Sequence, residues 1–415
     1  LTKKDGAASF LAPFKVRSYR FQWPADLATS WAFEMETLIL GWYVLVQTES
    51  VILLTIFGSL QFLGTLIAPM LGLVADKVGR RIMLCIMRGF YTAMAAVIMT
   101  AGLTDNLTPY LVFAVAALVG LARPSDLVMR NSLIGDTMPP DRLMNALGLT
   151  RTTQDSARIA GALVGAGLFS ILGIGAAYIA VTAFYAASFL FTLGVSNVRP
   201  TPDADVQAAD GSFARPSFWR EMRVGIAYVW NTPRVLAIMC LAFLVNLTAY
   251  PVSNGLLPYI AKEVYLLDEN GLGQLVAGYA GGALLASLLM AWTGGPRRPA
   301  RFMLIYIAIW YVLLLVLAQL TTRSTGAPTL VLIGLAQGAG MVTMSAALLR
   351  TVAAEFRGRI MGVRALAIYG LPLGLMGSGV FIGWIGYSAT ITVYCIIGIT
   401  FTALIGLKWR AALWR

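Results

Sequence analysis

Eight ionisable side chains sit inside stretches that are otherwise apolar. They are Glu34 and Glu36; Arg123, Asp126 and Arg130; and Arg151, Asp155 and Arg158. The second group is spaced i, i+3, i+7 and the third i, i+4, i+7, so each forms one stripe along a helix. A charge in such a helix is costly and needs a partner or a purpose. A carboxylate whose proton affinity rises on desolvation and falls beside an arginine can take up and release protons. A solute competing for the same arginine would then be linked to the proton. The structural alternative is that opposed charges only fix helix packing and do harm when half broken.

Softer polar groups occur in the second half. Asn246, Tyr250 and Asn254 repeat at i, i+4, i+8, with Pro251 and Pro258 interrupting that helix, and Gln337, Met341 and Ser345 repeat likewise. They suit contact with a solute, or hydrogen bonds between helices. Other chemistries lack their parts. There is no histidine, which removes imidazole as a metal ligand or proton relay. Cys85, Cys240 and Cys395 lie far apart in apolar segments, without metal or disulfide spacing. No nucleotide loop of the Walker type and no nucleophile–base pair is present. The chain reads as neither an enzyme nor an ATP-driven pump subunit, and no cofactor or metal is implied.

Positioning these side chains is a matter of membrane helices. Of 415 residues, 58% are hydrophobic and 12% charged, against about 25% charged in a soluble domain. Mean hydropathy is +0.76. A bilayer-spanning helix needs about 20 apolar residues, and twelve stretches qualify. They lie at roughly 24–47, 51–74, 82–103, 109–134, 144–170, 174–195, 235–259, 271–293, 302–321, 327–350, 360–384 and 388–408. The net charge of +12 is not gathered into a groove-sized patch, so nucleic acid is not a partner. The cations recur in short loops. With the N-terminus inside, Lys77, Arg80, Arg81, Arg142, Arg297, Arg298, Arg301 and Lys408 fall on the inner side, and only Lys262 and Arg323 on the outer. Both termini are therefore expected to be cytoplasmic.

One long polar break, 196–233, divides the stretches six and six. It begins as a Pro- and Asp-rich linker and ends as an amphipathic helix, Ser217 to Trp230, expected to lie on the inner membrane surface. The expected organisation is an N-terminal six-helix bundle at 1–195, this linker, and a C-terminal six-helix bundle at 234–415. The halves echo one another weakly. Gly72-Leu-Val-Ala-Asp76-Lys77-Val-Gly79-Arg80-Arg81 joins helices 2 and 3. Gly294-Gly-Pro-Arg-Arg-Pro-Ala-Arg301 joins helices 8 and 9, with its turn residues and cations but no acid. Degenerate repeats of this kind belong to transporter folds.

Six plus six helices, a long central loop and G-x-x-x-D-K-x-G-R-R after helix 2 resemble the major facilitator superfamily. Several stretches resemble its drug-antiporter branch, which includes the enterobactin exporter and macrolide-efflux proteins. These are Pro13-Phe14 through Arg20 to Trp23, Gly41-Trp42-Tyr43-Val44 with Thr48, Asn145-Ala146 leading to Ala157-Arg158-Ile-Ala-Gly161, Phe218-Trp219-Arg220-Glu221, and Arg357-Gly358-Arg359-Ile-Met361. The branch often has Gly-Asp in helix 1, where this chain has Ala32-Phe33, and Gly-Pro after the helix 5 arginine, where it has Gly161-Ala162.

The resemblance implies an all-α polytopic protein of a bacterial inner membrane, twelve helices in two bundles, working by alternating access. It implies a secondary transporter, most directly a proton-coupled exporter of a bulky amphipathic molecule, drug- or siderophore-like. Uptake or facilitated passage of a siderophore or lysolipid is the second reading, and a non-transporting membrane sensor a remote third. Its partners would be a small-molecule substrate, protons and membrane lipid, and it would act as a monomer. Proton coupling is expected at Glu34, Glu36, Asp126 and Asp155. Substrate contact is expected at Arg123, Arg158, Asn246, Tyr250, Asn254, Gln337 and Met341. Gly72, Asp76, Gly79, Arg80 and Arg81 would form a gating latch.

Depth along helices 4 and 5 gives specific pairings. Measured from their shared loop at about 134–144, Arg123 and Asp155 each lie about eleven residues in, and Asp126 and Arg151 about seven or eight, on a rise of about 1.5 Å per residue. This predicts Arg123 opposite Asp155 and Asp126 opposite Arg151. Arg158 is left to meet Glu34 or Glu36 on helix 1.

Overall fold

The structure is a computed structural model that describes residues 12–65, 67–196, 218–352 and 360–414, apart from 361, 362 and 365. Every regular element among the described residues is helical. The expected linker before Phe218 and the 357–361 motif fall outside them, Ile360 excepted.

Helix α1 (Arg17–Thr48) runs unbroken for 32 residues. The next expected stretch is interrupted. Helix α2 (Val51–Leu60) starts at Ser50, whose hydroxyl accepts the Leu53 N–H. A 3₁₀ turn at Leu63–Thr65 then leads into α3 (Ala68–Val78). The turn sits where Gly64 lies directly against the Leu121 carbonyl, an approach that any Cβ would block. Helices α4 (Arg80–Leu103) and α5 (Pro109–Thr137) follow. Helix α6 (Pro140–Leu193) holds two expected spans in one run, divided where Gly173 takes φ 76°, ψ 177°.

The second half repeats the pattern. Helix α7 (Phe218–Asn231) occupies the segment read as an amphipathic helix. It bends by 108° into α8 (Pro233–Thr248), and the short α9 (Tyr250–Asn254) follows. Pro251 lies in the first turn of α9, so the proline-bearing span breaks near where its sequence suggests. Then come α10 (Glu269–Thr293), α11 (Pro299–Leu317), α12 (Arg323–Thr351), α13 (Gly370–Ile385) and α14 (Tyr387–Lys408). Helices α4, α5, α6, α10, α11, α12 and α14 are long and apolar enough to cross a bilayer. With α6 counted as two spans they supply eight of twelve. The remaining four are α1, which carries carboxylates, the broken α2–α3, the broken α8–α9, and the short α13. The fold is the expected twelve-span, all-α membrane architecture.

Packing divides the chain into two compact units. One comprises Leu1–Ile39 with Leu63–Pro216, the other Leu40–Phe62 with Ser217–Arg415. In the first, α4 packs extensively on α6, around buried Tyr91, Tyr178 and Tyr185. In the second, α12 packs on α10 and α11, around buried Trp310 and Tyr311, and α2 packs on α13. Contacts through small residues hold these helices close where lipid supplies no hydrophobic drive.

Candidate functional site

Helix α1 is brought onto α6 by two glycines one turn apart. A Cβ at Gly161 would stand 2.8 Å from the Glu34 Cβ and 3.2 Å from the Trp31 carbonyl oxygen. A Cβ at Gly165 would stand 3.1 Å from the Met35 Cα. This crossing sets Arg158 Nε 3.9 Å from Glu34 Oε2, with the two side chains 28% and 30% exposed. The structure thus selects Glu34 from the two partners expected for Arg158.

Glu36 has a different environment. It is buried, accepting a hydrogen bond from Tyr185 Oη at 2.6 Å and a longer one from Tyr178 Oη at 3.5 Å. Both tyrosines lie on α6 beyond Gly173. Two carboxylates two residues apart on α1 therefore face opposite situations, one against an accessible guanidinium and one sealed among phenols.

Arg123 on α5 donates to Thr37 Oγ1 at 3.0 Å and to the Phe33 carbonyl at 3.5 Å. Its guanidinium lies 4.4 Å from the centre of the Phe33 ring. Phe33 in turn meets Tyr91 and Tyr185 edge-on at 5.2 and 5.6 Å. Where the resembled branch often has aspartate at the position of Phe33, the chain offers an aromatic face to the arginine.

The two cross-helix pairings expected from depth are corrected. Asp155 pairs with Arg151 on its own helix at 3.3 Å. Asp126 pairs with Arg130, one turn along α5. Equal axial depth does not by itself bring two side chains together, because each residue also turns the side chain by about 100° around the axis, and an i, i+4 neighbour on the same helix is the nearer partner.

Asp126 and Arg130 belong to a buried quartet whose other members the sequence reading missed. Arg88 on α4 donates to Asp26 on α1 and to Thr192 on α6, and its Nε lies 4.0 Å from Asp126 Oδ1. Arg130 lies 3.8 Å from Asp26 and donates to Ser30 Oγ at 3.0 Å and the Asp26 carbonyl at 3.2 Å. Two acids and two bases thus cancel inside one unit, tying α1, α4 and α5 together. Arg88 was detectable as a lone cation in an apolar run, and Asp26 as an acid two residues past Pro24.

In the second unit, Gln337 Nε2 donates to Tyr250 Oη at 2.7 Å, so the expected α8–α9 and α12 stripes do meet. Tyr250 also packs edge-on against the buried Trp310 at 5.1 Å. Asn246 turns onto its own helix, donating to the Ala242 carbonyl at 2.8 Å. Asn254 ends α9 and Met341 lies half-buried on α12, a turn beyond Gln337. Arg364, which the sequence reading passed over, donates to Ser345 at 3.1 Å.

At the motif between α3 and α4, Gly79 adopts φ 102°, as a tight reversal demands. Gly72 lies half-buried on α3, 3.8 Å from the Met129 methyl by its missing Cβ. Arg80 reaches the end of α5, bonding Asp136 at 2.5 Å and the Ser132 carbonyl at 3.3 Å. Arg81 donates to the Leu193 carbonyl at the end of α6. The Asp76 side chain lies outside the described residues. At the echoing turn, Gly294 and Gly295 have φ near +70° (72° and 71°), and Arg350 at the end of α12 donates to the Arg297 carbonyl at 3.4 Å. Both turns are thus tied to the end of the second helix after them, α5 and α12, with the arginine on opposite sides of the bond.

The model of the Major Facilitator Superfamily matches residues 24–370. The chain belongs to the Major Facilitator Superfamily. Solved members of similar fold include the POT family transporter PepTSo, at TM-score 0.74 and 12% identity over 95% of this chain and 98% of that one. The nucleoside transporter NupG aligns at TM-score 0.66 and 17% identity, over 94% and 98%. The human organic anion transporter MFSD10 aligns at TM-score 0.66 and 14% identity, over 94% and 99%. No curated protein matches the sequence. Identities this low speak for the fold alone. This superfamily member is accordingly a multi-pass membrane protein built as a transporter of small molecules.

Proposed function

We propose that this superfamily member is a proton-coupled exporter of a bulky amphipathic small molecule, drug- or siderophore-like. It would reside in a bacterial inner membrane with both termini cytoplasmic. The observation that carries this reading is the Arg158–Glu34 contact at 3.9 Å, part-exposed on both sides. An arginine held near a carboxylate it can leave lets proton and solute compete for one partner. The proton and a cationic or hydrogen-bond-donating group of the solute contend for Glu34, with Arg158 holding the carboxylate between turns: protonation displaces the solute and solute binding displaces the proton, the mutual exclusion that proton-driven export requires. Resemblance to drug antiporters supports export, and the sparse Asn, Gln and Trp around the arginines argue against a simple sugar.

In this reading Glu34 carries the coupled proton and Glu36 is its buried companion. Asp155, beside Arg151 and one turn from Arg158, tunes the same arginine. Asp126, enclosed by Arg88 and Arg130, serves packing. Arg123 with Phe33 presents a cationic-aromatic surface to the solute, and Tyr250 with Gln337, flanked by Asn246, Asn254 and Met341, a polar-aromatic one. Alternating access then moves the solute, with Gly72–Arg81 as a latch acting through Arg80.

The test is transport in proteoliposomes under an imposed pH gradient. Candidate solutes come first from a thermal-shift screen of siderophores, macrolides and lysolipids. Glu34→Gln should abolish the response to the gradient. Intact proton-driven transport in both Glu34→Gln and Glu36→Gln would remove this reading.

A further inference from the structure

A cavity lies on the outside of the first unit, between α4 and α6. It is a groove of about 450 Å³ lined by Arg81, Ile82, Cys85, Ile86, Phe189 and Leu193, with Gly89 at its far end. We propose that this groove seats an acyl chain of an anionic phospholipid, with the phosphate held at Arg81.

Its apolar length fits a lipid tail. Ile82, Ile86 and Leu193 are exposed, so the groove opens on the surface that a membrane protein turns to lipid. From Arg81 to Gly89 the helix rises about 12 Å, close to the depth of one leaflet of a bilayer core about 30 Å thick. Gly89 keeps the deep end open: the nearest atom to a Cβ there is the Phe189 ring, at 3.6 Å. A longer side chain would occupy the floor.

The polar end fits a phosphate. Arg81 donates to one backbone carbonyl, that of Leu193, and its Nε is buried without an acceptor. Among the described residues no carboxylate pairs with it, whereas its neighbour Arg80 is neutralised by Asp136. Arg81 also stands in the first turn of the 24-residue α4, whose first ladder bond is Met83 N–H to the Gly79 carbonyl. The N–H groups ahead of it and the positive end of the helix dipole add to the attraction for an anion. A guanidinium that no described carboxylate compensates, at the mouth of a leaflet-deep apolar groove, selects an anionic headgroup over a zwitterionic one.

Cys85 reports on the groove. With Cys240→Ala and Cys395→Ala it becomes the sole thiol of these 415 residues. Purified protein in nanodiscs of phosphatidylcholine, with or without phosphatidylglycerol, is treated with N-ethylmaleimide. Phosphatidylglycerol should slow modification of Cys85 about fivefold, the effect of one arginine on an anionic lipid. Arg81→Ala should abolish the difference, Arg81→Lys should keep part of it, and soluble glycerol 3-phosphate should have no effect. In native mass spectrometry, phosphatidylglycerol adducts should survive delipidation of the unmodified protein and be lost from Gly89→Leu. Equal protection by both lipids, protection that persists in Arg81→Ala, protection by glycerol 3-phosphate alone, or a Cys85 unreactive in every composition with no lipid adduct would each overturn the proposal.

Discussion

Arg158 on α6 and Glu34 on α1 approach to 3.9 Å across the Gly161 crossing, while Glu36, half a turn along α1, is closed in by Tyr185 at 2.6 Å. The accessible pair can exchange partners with little rearrangement; the buried one must break a short hydrogen bond first. Arg158→Gln should therefore uncouple rather than unfold. Gradient-driven flux should fall by more than about tenfold, equivalent to about 1.4 kcal/mol in the driven step. Equilibrium exchange of labelled solute, which needs no proton, should fall less. Equal loss of both would place Arg158 in general substrate binding instead.

The crossing itself is open to test. At Gly161 an added methyl meets Glu34 Cβ at 2.8 Å, and at Gly165 it meets the Met35 Cα at 3.1 Å. Backbone on one side leaves α1 as the part that must move. Gly165→Ala should cost about 1–3 kcal/mol, the usual range for overpacking, seen as a lower melting temperature in detergent. Gly161→Ala should cost a similar amount and also weaken gradient-driven transport, because it displaces Glu34 from Arg158. Full transport with an unshifted melt in Gly161→Ala would mean that the close approach is not needed.

Much of this was legible in the sequence because a bilayer simplifies the problem. Apolar length marks each span, and Gly79 followed by Arg80 and Arg81 marks a turn that returns the chain to water. The Arg158 pairing was legible because depth and helix order leave few acids within reach. The Arg123–Asp155 and Asp126–Arg151 pairings failed because rise per residue fixes depth but not rotation about the axis. Arg88 was overlooked as one cation in an apolar run, and its partner Asp26 because it sits near the start of its span, where an acid needs no special explanation. Asp136, the partner of Arg80, lies in a helix end that reads as loop. Such contacts depend on which helix faces which, and a single chain does not spell that out.

In the quartet a single change should do more harm than a paired one. Arg88→Met leaves Asp26 buried without its hydrogen-bonding cation and should destabilise by about 3–5 kcal/mol. Asp26→Asn with Arg88→Met removes one charge of each sign and leaves Asp126 paired with Arg130. The double variant should recover a large part of that loss. Denaturant unfolding in micelles, followed as a double-mutant cycle, measures the coupling. Simple addition of the two single effects would show that the contacts are independent.

Arg80 and Asp136 give the sharpest test of the latch. Their 2.5 Å bond ties the start of α4 to the end of α5, with both side chains only about one-fifth exposed (23% and 18%). Arg80 adds the Ser132 carbonyl at 3.3 Å, so its loss leaves both a carboxylate and a carbonyl without that donor. Arg80→Ala and Asp136→Ala should each slow transport cycling strongly while leaving solute affinity nearly unchanged, since neither side chain belongs to the proposed solute contacts. Arg80→Asp combined with Asp136→Arg restores the opposite charges in reverse order and should recover part of the cycling rate. It should not recover all of it, because the guanidinium would then start from α5 and could not donate to Ser132 in the same geometry. Binding is read by thermal shift with the solute and cycling by initial rates in proteoliposomes. Loss of binding in Arg80→Ala, or no rescue by the reversed pair, would remove the latch role from this contact.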